Sequence, residues 1–565
     1  MSLYSTLQIA NNALTAQQLG LQVTSNNIAN ANTPGYVREQ VIFSPAPTSR
    51  QGGVLVGLGV EVNAIIQKTD RFLEERLRVA SADVAYSESQ ETIYSEIESL
   101  IGELGGTDIS SSMTRFFNSI HDILNQPESL STRNVAIQQG IALTNDIRRL
   151  DQRTRDVRSD VNLRVVQSAN NVNELTRKIA DLNVKIVSFE GGGTSPSDAV
   201  GLRDERSNTV NELAKLIGVT TVEQTDGSLS VFVGGDYLVL SGVSRDVGVA
   251  YGQDRGLSTA FLRIVETDSL LAVTTGEVAG QTIARDEFLG GFLDQLNGFA
   301  RALIQEFNRV FSSSQGLSGY ARYTSEFAVS DTNAALDAAS LPFAVENGSF
   351  DVHVFNRRTG QTTTTTVPVR LHGMDDDSSL QSLADTLAAI DGLDATISSD
   401  RKLQLSSEGA NFEFTFAEDT SGLLSALGIN SFFSGSSSSD IGVNQLIKDD
   451  PGKFAVSAGG IAADTENGVK LAAFLNRPLD SQGDASLAAL YENMVGDISQ
   501  GAANSKASAD GFRVFHATLE SQFLAIASVN LDEEAVRVIT YQRAYQASAR
   551  LIKTIDDLLE SLVNL

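Results

Sequence analysis

Through the first 30 residues, Leu3, Leu7, Ala10, Leu14, Leu21 and Ile28 recur at heptad positions, with Gln17 and Thr24 completing the line. Alternating steps of four and three predict an amphipathic helix with a coiled-coil-like seam. The opposite face carries Asn, Gln, Ser and Thr, and the first charged side chain of the chain is Arg38. A solvated helix face normally carries Lys and Glu, so a neutral face suits a helix surrounded by other protein. The end of this helix is tightly specified. It reads NNIANANTPGY, with Asn27, Asn30 and Asn32 ahead of Thr33-Pro34-Gly35-Tyr36. Pro34 biases Thr33 away from the α region. Pro34 and Gly35 take the central positions of a type II turn, where glycine accepts positive φ. Asn30 and Asn32 tolerate the left-handed conformation and suit a helix end.

The C-terminal 35 residues mirror this pattern. Leu531, Val538, Tyr541, Tyr545, Ile552, Ile555, Leu559 and Leu562 keep three/four spacing, with Glu534 and Ser548 as polar exceptions. Asp532, Glu533 and Glu534 fall in the first turn, where the helix dipole favours acids. The run predicts a helix of about ten turns. The two seams are of similar length and could pair.

Between the ends the period changes repeatedly. Val54, Val56, Leu58, Val60 and Val62 alternate with Leu55, Gly57, Gly59, Glu61 and Asn63, as in a strand with one apolar face. A helical run over 130–188 holds Leu143, Ile147, Leu150, Val157 and Val161 in one register and Val172, Leu175, Ile179, Leu182 and Ile186 in a shifted one. A phase change near 168 reads as a stutter. FEGGGTSPSD at 189–198 reads as a loop, 208–217 as a short helix, 219–280 as a small β insertion and 286–311 as helix. From about 320 to 445, Thr, Ser, Asp and Gly rise. TTTTTVPVRL, KLQLSS and NFEFTF read as strands and LQSLADTLAAID as a helix. Helix resumes from about 485 to the end.

The expected fold class is α+β multidomain. The terminal helices pair as a coiled-coil-like inner layer, a long helical bundle comes next, and β-rich domains are inserted on the outside. The expected division is 1–36 with 528–565 as a terminal helical domain. A helical bundle spans 37–218 with 281–319 and 446–527. The insertions are a small β one at 219–280 and an outer β-rich one at 320–445.

Composition narrows the function classes. The chain has 565 residues, enough for roughly three to four domains. Its net charge of −28 opposes nucleic-acid backbones and anionic membranes. It has no cysteine, hence no disulfides or thiolate metal sites, which suits a protein that leaves the cell unfolded. No run of about 18 apolar residues predicts a membrane span. MSLYSTLQIA has no basic n-region or apolar core, so an ordinary secretory signal is not expected there. His121, His353, His372 and His516 lack metal-binding spacing, and structural or surface roles are expected of them. Asp375, Asp376 and Asp377 lack the EF-hand pattern, and Gly191-Gly192-Gly193-Thr194 lacks the P-loop lysine. There is no nucleophile-elbow motif, no cofactor is expected, and the expectation is a protein that is not an enzyme.

SNNIANANTPGY resembles the N-terminal motif of the bacterial flagellar axial proteins of rod, hook and hook-associated classes. SVNLDEEAVRVITYQRAYQASARLIKTIDDLLESLV looks like the C-terminal end of the hook-associated protein 1 family, the first hook–filament junction proteins. LRDERSNTVNELAKLIGV at 202–219 and IGVNQLIKDDPGKFAVSA at 441–458 are similar to interior segments of that family. The stretch after Asn308 departs from it, with Gln315 before Gly316 where an Asn-His pair is expected. The 320–440 region carries no specific likeness.

The resemblance implies a tube subunit whose terminal helices pair and line the inner tube. It implies export through the flagellar type III channel from the cytoplasm, and a place in the extracellular flagellum at the hook–filament junction. The implied partners are further copies in a ring or helical array, hook protein, a second junction protein on the filament side and an export chaperone. No nucleic acid and no membrane insertion are expected. Alternative readings are a hook or distal rod protein, or an exported scaffold whose outer domain is enzymatic, such as a wall hydrolase, or adhesive.

Overall fold

A computed structural model describes residues 3–51, 54–102, 108–193, 195–374 and 376–563, with backbone alone for Gln51, Asp480, Leu562 and Val563. Thr194 and Asp375 therefore lie outside the described residues. In chain order, α1 (Leu3–Asn30) leads into β1 (Glu39–Pro45), the hairpin β2 (Thr48–Gln51) and β3 (Val54–Gly57), and β4 (Val60–Gln67), which pairs antiparallel with β1. Helices α2 (Arg71–Gly102), α3 (Ile109–Asn125), α4 (Leu130–Phe189) and α5 (Val200–Ile217) follow. Next come β5 (Thr220–Glu223), β6 (Leu229–Val233), β7 (Asp236–Leu240), β8 (Val243–Ser244), β9 (Val247–Asp254), β10 (Leu257–Ile264) and β11 (Ser269–Leu270). Helix α6 (Glu277–Ile283) and a π-helical turn (Ala284–Leu289) lead into α7 (Gly290–Ser312). The next stretch holds β12 (Arg322–Thr324), β13 (Gly348–Asn356), β14 (Gln361–Val369), α8 (Leu380–Ala388), β15 (Leu393–Ile397), β16 (Leu403–Ser407) and β17 (Phe412–Ala417). After α9 (Leu423–Leu427), β18 (Phe433–Ser434), β19 (Gly442–Val443), α10 (Gln445–Asp449) and α11 (Glu466–Ala472), the chain closes with α12 (Leu487–Ala527) and α13 (Leu531–Val563). The chain is a multidomain α+β protein.

Two compact units divide it: 1–94 with 159–286 and 503–565, and 95–158 with 287–502. In the first, Val165, Val172 and Ile179 of α4 join Val210, Leu213 and Ile217 of α5 and strand residues such as Val231, Val239, Leu262 and Ile264 in one core. Three asparagines fasten α4 to the strands. Asn162 donates to Ser258 O at 3.0 Å and accepts from Ala260 N at 2.7 Å. Asn173 donates to Val247 O at 2.8 Å and accepts from Val247 N at 2.7 Å. Asn183 donates to Leu229 O at 2.8 Å and accepts from Leu229 N at 2.9 Å. The spacing of 11 and 10 residues is about three helical turns, so all three amides leave one face. Each amide stands in for a missing strand neighbour.

The second unit is built on aromatic side chains. Phe116, Phe117, Phe307, Phe311, Phe432, Phe433, Phe454 and Phe474 are each almost fully buried. Phe432 and Phe433 stand edge to face at 4.8 Å between ring centroids. The buried Asn308 accepts from the amides of both, each at 3.0 Å, and so ties them to α7. Its strands form the sheets β14-β13-β17 and β12-β16-β15.

Several local expectations are corrected. The alternating run 54–62 is not one strand: it divides into β3 and β4 in different sheets, because Gly59 takes φ +91° between them. The long helical run expected over 130–188 is one helix, α4, continuous for 60 residues through the change of phase near 168. Helix α5 begins at Val200, eight residues before the expected start. The C-terminal helix is interrupted at 528–530, where Asn530 Oδ1 accepts from the Asp532 and Glu533 amides at 3.0 and 3.3 Å and caps α13.

Candidate assembly site at the chain ends

Helices α1 and α13 pack against each other in antiparallel fashion. Asn27 meets Glu534, and Gly20 lies under Tyr541, where an added Cβ would come 3.1 Å from the ring. The ring of Tyr541 also meets Phe43 of β1, at 6.1 Å between centroids. The buried line of α1 is Ser5, Ala10, Ala16, Gly20, Val23, Thr24 and Asn27. This differs from the seam drawn on large apolar residues. Ala10 is buried, but Leu3, Leu7, Leu14 and Leu21 are half-buried and Ile28 is exposed. On α13, Ile555 is buried, Val538, Tyr541 and Ile552 are half-buried, and Leu531, Tyr545 and Leu559 are exposed. The side chain of Leu562 lies outside the described residues. Within one chain, then, none of Leu14, Leu21, Ile28, Tyr545, Ile552 and Leu559 is buried. Small residues let the two backbones approach, and the leucines flank the contact line rather than fill it. The two polar exceptions on α13 turn inward: Glu534 is 1% exposed and Ser548 is half-buried.

The turn after α1 explains why Arg38 is the first charge. Thr33 N donates to Asn30 O at 2.9 Å and Tyr36 N to Thr33 O at 3.2 Å, with Gly35 at φ +75°. This closes the turn expected of Thr33-Pro34-Gly35-Tyr36. Neither Asn30 nor Asn32 adopts a left-handed backbone. Asn30 instead works through its side chain, donating to Asn26 O and accepting from the Thr33 hydroxyl. Asn32 and Pro34 are exposed. Gly35 has a second reason to lack a side chain, since a Cβ would lie 2.2 Å from Asn208 Oδ1.

Asn27 organises the node. Its Oδ1 accepts from Tyr36 OH at 2.8 Å and from Glu39 N at 2.9 Å. Its Nδ2 donates to Glu39 O at 3.0 Å and to Glu534 Oε2 at 3.1 Å. All four hydrogen-bonding positions of the amide are used, at a residue 1% exposed. Arg38 reaches Glu534 Oε1 through Nε at 2.9 Å and also through Nη2, and it reaches Glu533 through Nη1 at 2.9 Å. Its backbone amide donates to Ala527 O at 2.9 Å, and Lys68 N donates to its carbonyl at 2.8 Å. Burial lowers the proton affinity of the Arg38 guanidinium, but bonding to Glu534 and Glu533 outweighs this and holds it above its usual range.

The segment 202–219 supplies the other wall. Asp204 Oδ2 accepts from Val37 N at 3.4 Å, and Gln67 donates to Oδ1. Burial pushes the Asp204 carboxyl up to about 7, with Glu39 and Glu74 adding repulsion against the Val37 and Gln67 bonds. Burial also raises Glu39 and, far above its usual range, Tyr36. Residues of three stretches that carry the family likeness, 25–36, 202–219 and the C-terminal block, thus meet at one place, with Val37 and Arg38 beside the first. Sequence reasoning marked the turn and missed Arg38, Asp204 and Glu534 as its partners. The late first charge, and Glu534 as a polar exception within an apolar seam, were the available signals.

The node holds the two terminal helices and the turn together. Among the described residues, no group of three or more His, Asp and Glu converges as a metal site. Asp377 accepts from the His372 and Gly373 amides, at 2.6 and 2.8 Å. His516 Nε2 lies 2.9 Å from Ser81 Oγ, but that hydroxyl already donates to Leu77 O. Among the described residues, no helix is long and apolar enough to cross a membrane.

Comparison with known proteins agrees with this geometry. Residues 94–323 match the family described as flagellar hook-associated protein FlgK helical domain. Residues 520–565 match the flagellar basal body rod FlgEFG protein C-terminal family, and 7–36 the flagella basal body rod protein family. Flagellar hook-associated protein 1 of Escherichia coli (strain K12) is 24% identical over 583 residues, covering 99% of this chain and 100% of that protein. Its counterpart in Bacillus subtilis (strain 168) is 24% identical over 575 residues, covering 100% and 98%. The flagellar hook junction protein FlgK from Burkholderia pseudomallei shares the fold, with a TM-score of 0.51 at 15% identity over 79% of this chain and 99% of that one. Family-like segments at both chain ends and in the middle, in a chain aligned end to end with flagellar hook-associated protein 1 of two bacteria, make this chain similar to that protein along its whole length.

Proposed function

We propose that this protein is a structural subunit of the bacterial flagellum that joins hook to filament and is required for filament assembly. It is exported by the flagellar type III system from the cytoplasm and acts outside the cell. It is not an enzyme. Its neighbours are further copies of itself in a ring or helical array, hook protein, a second junction protein on the filament side and, before export, a chaperone. The four-part domain division read from the sequence belongs to this proposal, with the paired terminal helices as the inner layer.

The observation that carries the reading is the exposed apolar surface on helices locked together at the node. On α13, Val536, Ile539, Leu551 and Leu558 are 64, 49, 40 and 50% exposed. A charged node fixes the helices while large side chains face outward, as subunit packing requires. Leu21→Asp, Ile552→Asp and the surface change Val536→Asp test this in cells, by filament growth and by recovery of the protein in hook–filament preparations. All three are expected to leave the second unit folded and to block incorporation. Efficient incorporation of all three would overturn the packing role.

A further inference from the structure

Strand β14, QTTTTTVPV, is an edge strand: it pairs with β13 on one side, and β13 lies between it and β17. The direction of its backbone groups follows from hydrogen bonds around it. Ser349 of β13 uses both its amide and its carbonyl on Thr420, on the side away from β14. Its cross-strand partner Pro368 must therefore point its own carbonyl away from β13. The same parity holds at Arg370, which gives its amide and carbonyl to Ser378 on the outer side. Thr362, Thr364 and Thr366 thus present three amides and three carbonyls along an edge that no strand among the described residues pairs, and their side chains are exposed.

Such edges are normally protected by charge, a bulge or a cover. This one has no charge over nine residues, and its register with β13 is unbroken. Pro368 stops pairing at one end, and the Arg370–Ser378 contact closes the chain beyond it. The charges sit at the ends. Arg358 in the hairpin turn and Arg370 past the strand are both exposed, and Arg357 beside the turn pairs with Glu413.

We infer that β14 is a docking edge that adds an extended segment of a partner protein as a fourth strand, neutral over its central residues and acidic at both ends. The free amides and carbonyls supply main-chain pairing at alternate residues. The arginines at the two ends select carboxylates. A second copy fits less well. Antiparallel self-pairing centred on Thr364 sets Arg358 opposite Arg370 of the other copy, and like charges directly opposite oppose pairing.

The test uses the full-length chain and two synthetic peptides, EETVTVTDD and KKTVTVTKK, with binding read by fluorescence anisotropy and amide exchange. The acidic peptide is expected to bind below about 1 mM at low salt, to protect the amides of Thr362, Thr364 and Thr366, and to bind at least about tenfold more tightly than the basic one. Thr364→Pro removes an outward-facing amide and the hydroxyl that meets His353 Nδ1 at 3.2 Å, leaving the backbone bonds to β13 in place, so the sheet is expected to form and binding to fall at least about tenfold. Thr364→Val keeps the amide and is expected to bind as the parent does. Absence of binding to the parent, equal binding by Thr364→Pro, or equal affinity for the basic peptide would overturn the inference. So would self-association abolished by Thr364→Pro, which would give the edge to a second copy.

Discussion

Replacing Glu534 with alanine strikes the node where it is least able to adapt. Arg38 is 4% exposed and loses the carboxylate that receives its Nε and Nη2. Glu533, with a side chain 57% exposed, remains on Nη1 alone. Removing one partner of a buried ion pair typically costs about 3–5 kcal/mol, because the other charge stays buried. Asn27 also loses one of its four bonds, worth about 1 kcal/mol. The amides of Arg38, Glu39 and Lys68 report on the node directly, since they donate to Ala527, Asn27 and Arg38. Their hydrogen-exchange protection in the full-length chain is expected to fall by roughly 10²–10³-fold or more, since each factor of ten is about 1.4 kcal/mol. The double variant Arg38→Met with Glu534→Leu removes both charges and is expected to keep more protection than Glu534→Ala alone. Protection within threefold of the parent in Glu534→Ala, or a double variant worse than the single, would refute the reasoning.

Two further outcomes follow from neighbouring residues. Gly35→Ala must hold φ +75° and press a Cβ against Asn208, so the 36–39 amides are expected to lose protection, with partial recovery in Gly35→Ala plus Asn208→Gly; full protection in Gly35→Ala would contradict the fit. Asp204 keeps its proton to about pH 7 in the folded chain, against 3.8 for its ordinary value, so the folded state binds the extra proton between these limits. Stability should fall as pH rises through that window, by at most about 4 kcal/mol from this group. Glu39 contributes in the same direction. Urea midpoints measured from pH 4.5 to 7.5 are expected to decline less in Asp204→Asn than in the parent, and parallel curves would exclude the effect.

The type of most elements was legible because periodicity was strong: the terminal helices, the 60-residue helix α4 and the strands around KLQLSS and NFEFTF all have clear patterns. The seam was less legible. Heptad spacing favours the largest apolar side chains, yet the contact line runs along Ala10, Ala16, Gly20 and Asn27, where helix backbones can approach. Small and amide side chains carry little signal in a hydrophobic count. The pairing of Arg38 with Glu534 spans almost the whole chain, and no local period can report it. The same holds for Asn162, Asn173 and Asn183, whose spacing is regular but whose strand partners lie 46 to 98 residues away. The turn at Thr33–Tyr36 was legible because proline and glycine act through local backbone geometry.

The most direct measurement is electron microscopy of the source bacterium with this gene deleted, together with an assay of the medium for filament protein. A junction subunit predicts complete hooks that lack filaments, and filament protein released into the medium. Missing hooks would place the protein in the rod or hook, and intact filaments would contradict a required role at the junction.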